Sequence, residues 1–132
     1  IAKFRELNLI GKIFNADGSR TKDAGILEGI ASMEMARIDV STATFFGVHA
    51  GLAMCSILVA GSDEQRKEWL PKMRNMDIIG AFGLTEPTVG SGAAGGLTTT
   101  CKREGDSWVL NGEKYWIGNS TFADIIIIWA RD

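Results

Sequence analysis

The sequence predicts an α+β fold. An N-terminal helical bundle segment spans residues 1–77, and an antiparallel β-domain segment, part of a barrel or sandwich, spans residues 78–132. Apolar residues recur at helical spacing as far as about Met76. From Ile78 onward β-branched runs and turn dipeptides replace that period. The two patterns are segregated along the chain, which argues for α+β or two domains rather than a βαβ chain.

Residues 1–14 read as a short amphipathic helix with Phe4, Leu7 and Ile10 on one side, ended by the turn Asn15-Ala16-Asp17-Gly18-Ser19. From Asp23 to about Arg37 the residues Ile26, Leu27, Ile30, Met33 and then Ala36 or Arg37 form an apolar helical stripe. Ser41 is the expected N-cap of a helix running from Thr42 to Ala60. That helix is apolar nearly all round and so should be buried, with Gly61 at its C′ position. Ser62-Asp63-Glu64-Gln65 has capping-box spacing and opens a helix reaching about Met76, which Pro71 should kink or shorten.

Ile78 to Leu84 is an apolar strand entering a Gly/Pro-rich turn, and Leu97 to Lys102 is a second strand. Glu104-Gly105-Asp106-Ser107 is a turn into a third, Trp108 to Leu110. Asn111-Gly112 predicts a hairpin that returns through Lys114 to Ile117. Asp124 to Ala130 is the last strand. Its four consecutive isoleucines call for cover on both faces. Residues 78–132 supply little of it, so the chain is expected to be a piece of a longer protein.

The 132 residues suit one modest domain, and 45% hydrophobic with 23% charged residues is ordinary globular composition. A net charge of −2 gives no electrostatic case for nucleic acid or an anionic membrane. No apolar run reaches membrane-spanning length; Thr44 to Ala60 comes closest, and His49, Gly47, Gly51 and Ser56 interrupt it. Cys55, Cys101 and His49 form no metal-binding spacing. A reduced intracellular compartment is the default for two unrelated cysteines.

Two segments carry the candidate site. Phe82-Gly83-Leu84-Thr85-Glu86-Pro87-Thr88-Val89-Gly90-Ser91 runs off a strand into a turn rich in hydroxyls and approachable amides. Lys114-Tyr115-Trp116-Ile117-Gly118-Asn119-Ser120 adds an indole and further backbone. Hydrogen-bonding groups beside a flat aromatic face suit a planar cofactor with a polar edge. Glu86, next to Pro87, is better read as fixing the loop or pairing with a cation than as a catalytic base. His49 reads as a core or substrate-cavity histidine, and Cys101 as an inert small hydrophobe. The methionines read as packing, and so do Trp69, Trp108 and Trp129. Gly92 to Gly96 is not a nucleotide fingerprint, because no helix follows it.

The motifs Leu84-Thr85-Glu86-Pro87-x-x-Gly90-Ser91 and Asn111-Gly112-x-Lys114-x-Trp116-Ile117-x-Asn119 resemble those of the acyl-CoA dehydrogenase/oxidase flavoprotein family. Met33 to Asp39 and Gly61 to Pro71 match its helical region, in the same order and spacing, so the resemblance covers roughly residues 24 to 132. It implies most of an N-terminal helical domain and the start of a middle β-domain. It also implies FAD as cofactor, an acyl-CoA thioester as substrate, and α,β-dehydrogenation in fatty-acid β-oxidation. By motif match Phe82, Leu84, Thr85, Ser91, Trp116, Ile117 and Gly118 line the flavin, and Ser91 also touches the substrate's pantetheine arm. The catalytic base of such enzymes lies on a C-terminal helical domain, so none is assigned here and the piece alone is expected to be inactive.

An electron-transferring flavoprotein as partner and a homo-oligomer, commonly a homotetramer, follow from the resemblance as well. So does a location in bacterial cytoplasm, mitochondrial matrix or peroxisome. The alternatives are an acyl-CoA oxidase and a non-catalytic flavin or acyl-CoA binding module.

Gly92 departs from the family pattern, which has Asp there to brace the turn. Phe82-Gly83-Leu84-Thr85 and Trp129-Ala130-Arg131 are similar to glutaryl-type members, and Ile117 to Asp124 to short-chain oxidases. Ala36 and Ala43 stand where glutaryl-type members carry an acidic residue and an arginine. A terminal carboxylate would then be buried unpaired, so a short or medium monocarboxylic acyl-CoA is expected.

Overall fold

The computed structural model describes residues 1–90, 92 and 95–132. Helices α1 (Ala2–Leu7) and α2 (Leu9–Ile13) replace the single expected N-terminal helix. They part at Asn8, whose left-handed backbone (φ 48°) is tolerable for Asn and ends the first helix. Helix α3 (Ala24–Ile38) turns Leu27, Ala31 and Met35 toward the core. Ile26, Ile30 and Met33, expected to form its inward stripe, are exposed.

Helix α4 (Val40–Phe46) starts earlier than the sequence suggests. The Asp39 carboxylate, not Ser41, is the N-cap and accepts from the Ser41 and Thr42 amides at 3.1 Å each. A π-helical segment, Gly47–Met54, follows directly and leads into α5 (Cys55–Ala60). The whole run, Val40–Ala60, has 21 residues, long and apolar enough by length and composition to cross a membrane. It is longer than the run expected from sequence, Thr44 to Ala60, because the helix begins at Val40. The helix nevertheless serves as the core helix: Phe46, His49, Ala50, Ala53, Met54 and Ile57 are all buried within the protein. Gly61 ends it in extended rather than left-handed conformation (φ −71°, ψ 154°). Ser62 and Gln65 then form the expected capping box of α6 (Asp63–Arg74), which continues through Pro71 instead of stopping there.

The core is built from one face of each helix. Ile10, Ile13 and Phe14 meet Phe46 and Met54 of the central helix, with Leu70, Met73 and Met76 closing the far side. Each such side chain contributes roughly 1.5–3 kcal/mol by leaving water. Two arginines stitch the N-terminal helices to the end of α6. Arg5 donates to the Met76 carbonyl at 2.6 Å, and Arg74 donates to that of Phe14 at 2.9 Å.

The strands sit on this helical layer. Strand β1 (Gly80–Gly83) crosses the π-helical segment so closely that a Cβ on Gly80 would lie 2.6 Å from Ala53 Cβ. It pairs in parallel with β4 (Ile125–Ile128), Gly80 opposite Ile125 and Gly83 opposite Ile128. Strands β2 (Thr100–Glu104) and β3 (Ser107–Asn111) form the expected antiparallel pair, turning at Gly105 (φ 61°). A parallel bridge between Thr100 and Arg131 carries the β4 side of the sheet to β2. The α+β class and the order of helices before strands stand, but the strand segment is mixed in sense. No hairpin forms at Asn111-Gly112, and Lys114 to Ile117 is not a strand. Gly112 (φ 151°) instead presses on Thr99, where a Cβ would lie 2.5 Å from the hydroxyl oxygen. Of the four isoleucines, Ile125 and Ile127 pack on the core while Ile126 and Ile128 remain exposed.

Candidate functional site

The two motif segments lie side by side. Strand β1 ends at Gly83, and the next residues are fixed by partners far along the chain. The amide of Tyr115 donates to the Thr85 carbonyl at 2.9 Å, and the amide of Trp129 donates to that of Gly83 at 3.0 Å. Thr85 therefore sits against the Tyr115–Trp116 backbone. Trp116 adopts a left-handed backbone (φ 54°) with its side chain 88% exposed. Both properties are unusual for a bulky aromatic residue, and strained backbone of this kind gathers at functional sites.

Asn119 holds the other end of that turn. It too is left-handed (φ 69°), and its amide nitrogen donates to the carbonyls of Phe45 and Gly80, both at 3.2 Å. The turn is thus tied at once to α4 and to β1. Asp124 adds a further tie, accepting the Ile79 amide at 2.7 Å.

Behind the exposed face lies a buried polar joint. Glu86 has no solvent-exposed side-chain surface, and Lys114 has 8%. Glu86 Oε1 accepts from Lys114 Nζ at 2.8 Å and from the Thr99 amide at 2.9 Å. Oε2 accepts from both the amide and the hydroxyl of Thr98 at 2.6 Å. Lys114 also donates to the Leu84 carbonyl at 3.0 Å. Burial alone would raise the Glu86 pKa, but the ammonium and the threonine donors outweigh it and hold the carboxyl well below the usual carboxylate range. With donors on both carboxylate oxygens, Glu86 is a bracing carboxylate and not a free base.

His49, fully buried, joins three elements. Its Nε2–H donates to the Met73 carbonyl at 3.0 Å, and Nδ1 accepts the Gly80 amide at 3.0 Å. Burial lowers its pKa despite the Met73 contact, and the Gly80 bond requires the neutral ring. It is a core histidine, one of the two readings open from sequence.

Phe82 is half-buried, its ring 6.1 Å from that of Trp129, and Leu84, Thr85 and Ile117 are half-buried too. Gly118 is exposed, and a Cβ added there would meet Val48 at an ordinary contact distance of 3.6 Å. Ser91 lies outside the described residues. At Gly92 a Cβ would collide with the stiff side chain of Val89, so the turn as folded has no room for the aspartate that the family pattern places there. A groove of about 470 Å³ runs between α5, the start of α6 and β4. Another of about 290 Å³ lies between α5 and Trp129. Phe82 lines the second; of the other described candidates Trp116 and Gly118 are exposed, while Leu84, Thr85 and Ile117 are half-buried. Between them the two motif segments carry a hydroxyl, backbone groups and an exposed indole, groups that suit a flat ring with a polar edge. Lys114, Asn119 and Asp124 were given no role from sequence. The fixed spacing of Asn111-Gly112-x-Lys114-x-Trp116-Ile117-x-Asn119 was the signal that contained two of them.

The family model described as acyl-CoA dehydrogenase, N-terminal domain, matches residues 1–77, and that for the middle domain matches residues 81–132. The mitochondrial short-chain specific acyl-CoA dehydrogenase of Mus musculus is 44% identical over 101 residues, 76% of this chain and 24% of that protein. Among solved structures, a glutaryl-CoA dehydrogenase from Mycobacterium smegmatis in complex with FADH2 superposes with TM-score 0.85 at 40% identity. The overlap covers 97% of this chain and 33% of that one. A structure described as the electron transferring flavoprotein of Acidaminococcus fermentans gives TM-score 0.81 at 29% identity, over 96% of this chain and 33% of that one. The chain thus spans about a quarter to a third of the length of these relatives. With both domain descriptions matched in order across the helix-to-strand switch, the chain belongs to the acyl-CoA dehydrogenase family.

Proposed function

We propose that this chain forms one wall of the cofactor and substrate site of an FAD-dependent acyl-CoA dehydrogenase. The observation that carries the reading is the Tyr115–Thr85 backbone bond, which ties the Thr85 segment to the turn that exposes the Trp116 indole. FAD, when bound, supplies the acceptor for the hydride that leaves the substrate's β-carbon. Phe82, Leu84, Thr85, Ser91, Trp116, Ile117 and Gly118 are the residues proposed to hold it, with Ser91 also against the thioester's pantetheine arm. Their part is to orient and to exclude water; the α-proton is left to a base elsewhere in the protein, since Glu86 is fully engaged.

The substrate proposed is a short- or medium-chain monocarboxylic acyl-CoA. Ala36 and Ala43 provide no charge to pair with a terminal carboxylate, and the mouse relative is a short-chain enzyme. Electron transfer to an electron-transferring flavoprotein is proposed from the Acidaminococcus relative. A homo-oligomer is proposed from the family resemblance; the apolar surface that Ile26, Ile30, Met33 and Ile38 expose calls for cover from a second subunit or from the rest of the same protein. The mitochondrial mouse relative favours the mitochondrion if the source is eukaryotic; a bacterial source implies the cytoplasm.

The test is to express the complete reading frame that contains this segment and measure bound FAD and turnover of butyryl-, hexanoyl- and glutaryl-CoA. Equimolar FAD and preference for the two monocarboxylic substrates are expected. A protein without FAD removes the whole reading, and preference for glutaryl-CoA removes the substrate assignment. Fast reoxidation by air without a flavoprotein acceptor would reassign it as an oxidase.

A further inference from the structure

We infer that Glu86 and Lys114 are a positioning pair, setting the register between the Thr85 edge and the Trp116 turn and through it the grip on the cofactor; the inference rests on the function proposed above. Three segments far apart in sequence converge on the pair. Glu86 follows Thr85 directly, and its own backbone closes a small loop with Val89, amide to carbonyl in both directions at 2.9 and 3.2 Å. Its carboxylate gathers Thr98 and Thr99. Lys114 lies two residues before Trp116 and reaches across to Leu84 and Glu86. Every one of these contacts is directional, and neither charge has water to fall back on.

Trp116 is where that rigidity is felt. A left-handed backbone at a tryptophan relaxes unless both flanks are fixed. Asn119 fixes the far flank through Phe45 and Gly80. On the near flank Tyr115 makes one backbone bond to Thr85, and the bond from Lys114 to Leu84 and Glu86 anchors the residue before it. Without the ammonium, Glu86 becomes a buried carboxylate lacking its cation. The loop then has to open to hydrate it, which separates Thr85 from Trp116.

The experiment uses the FAD-loaded full-length protein and three variants, Lys114→Met, Lys114→Arg and Glu86→Gln. FAD release is followed by recovery of flavin fluorescence, and cofactor geometry by visible circular dichroism. Lys114→Met and Glu86→Gln are expected to release FAD on the order of tenfold faster, equivalent to about one 1.4 kcal/mol step in affinity, and to shift the flavin dichroic bands. Lys114→Arg keeps the charge and should restore release to near the parent rate. Leu70→Ala, a core change in α6 remote from the pair, is the control: it should lower the melting temperature while leaving release and dichroism unchanged. Parent-like release and dichroism in Lys114→Met overturn the inference, as does equal acceleration in Leu70→Ala. If Lys114→Met does not fold, Lys114→Gln replaces it with the same two outcomes. A parent protein that binds no FAD overturns the functional reading first and the pairing role with it.

Discussion

As far as Met76 the chain is held by apolar burial: Ile10, Phe14, Phe46, Met54, Leu70 and Met73 lock one helix to the next. From Gly83 onward Leu97 is the one buried apolar side chain among the described residues. The joints there are polar: Glu86 with Lys114, Asn119 with Phe45 and Gly80, Asp124 with Ile79. Apolar contacts add up by area and tolerate small shifts. Hydrogen bonds to buried charges have fixed directions and lose most of their value when strained. The difference teaches where accuracy is placed in this molecule. The helices supply bulk stability, while the polar joints fix the angles of the face that carries Thr85 and Trp116.

The largest expected effect tests the apolar side. Phe46 is buried and stacks on Phe4 at 5.7 Å. Phe46→Ala should cost about 3–5 kcal/mol in urea unfolding and leave FAD release from the full-length protein unchanged. Release that accelerates along with the stability loss would erase the division between the two regions.

A smaller effect falls at their junction. His49→Leu leaves the Met73 carbonyl and the Gly80 amide without partners, a loss of about 2 kcal/mol. It should also change the pH response. Because the folded His49 pKa lies below its unfolded value, the unfolded chain binds the extra proton first as pH falls. Stability is therefore complete above the ordinary histidine pKa and declines as pH drops through it toward the folded pKa. His49→Leu should flatten that limb in unfolding curves between neutral and mildly acidic pH. The limb belonging to Glu86, also depressed, sets in only within and below the ordinary carboxylate range and should survive. A His49→Leu protein with the parent's pH profile would remove the neutral-histidine assignment.

The smallest effect is on the polar side. Asn119→Ala removes two bonds for a loss of about 1–2 kcal/mol. Despite its modest size, it should disturb the near-ultraviolet dichroism of Trp116 more than Phe46→Ala does. The reverse order would show that the turn is held by packing after all.

What the sequence revealed followed the range of the interactions. The Ser62–Gln65 capping box and the Gly105 turn are formed by neighbours, and both are present as expected. Helices-then-strands was readable because period and composition change together near residue 77. The Asp39 cap was missed because Asp39 and Ser41 are equally good cap residues, and only the fold shows that the carboxylate reaches both amides. The stripe on α3 was misassigned because periodicity shows which residues share a face, not which way the face turns. Nothing local announces the π-helical segment or the β1–β4 pairing, whose partners lie far apart along the chain. That Glu86 fixes its loop or pairs with a cation was legible beside Pro87, but its partner Lys114 emerged only when the fold brought residues 84, 98 and 114 together.

The parallel register of β1 and β4 bears on how the chain assembles. Parallel strands cannot close through a tight turn. In translation order β1 emerges well ahead of the isoleucines that pair with it. Its first neighbour is therefore the helix already made: Gly80 settles on Ala53 and offers its amide to His49 while the sequence from Leu84 to Asp124 is still to come. The slow step of pairing β1 with β4 thereby begins from a strand already seated on the helices, and the helical layer serves as the template on which the sheet is laid.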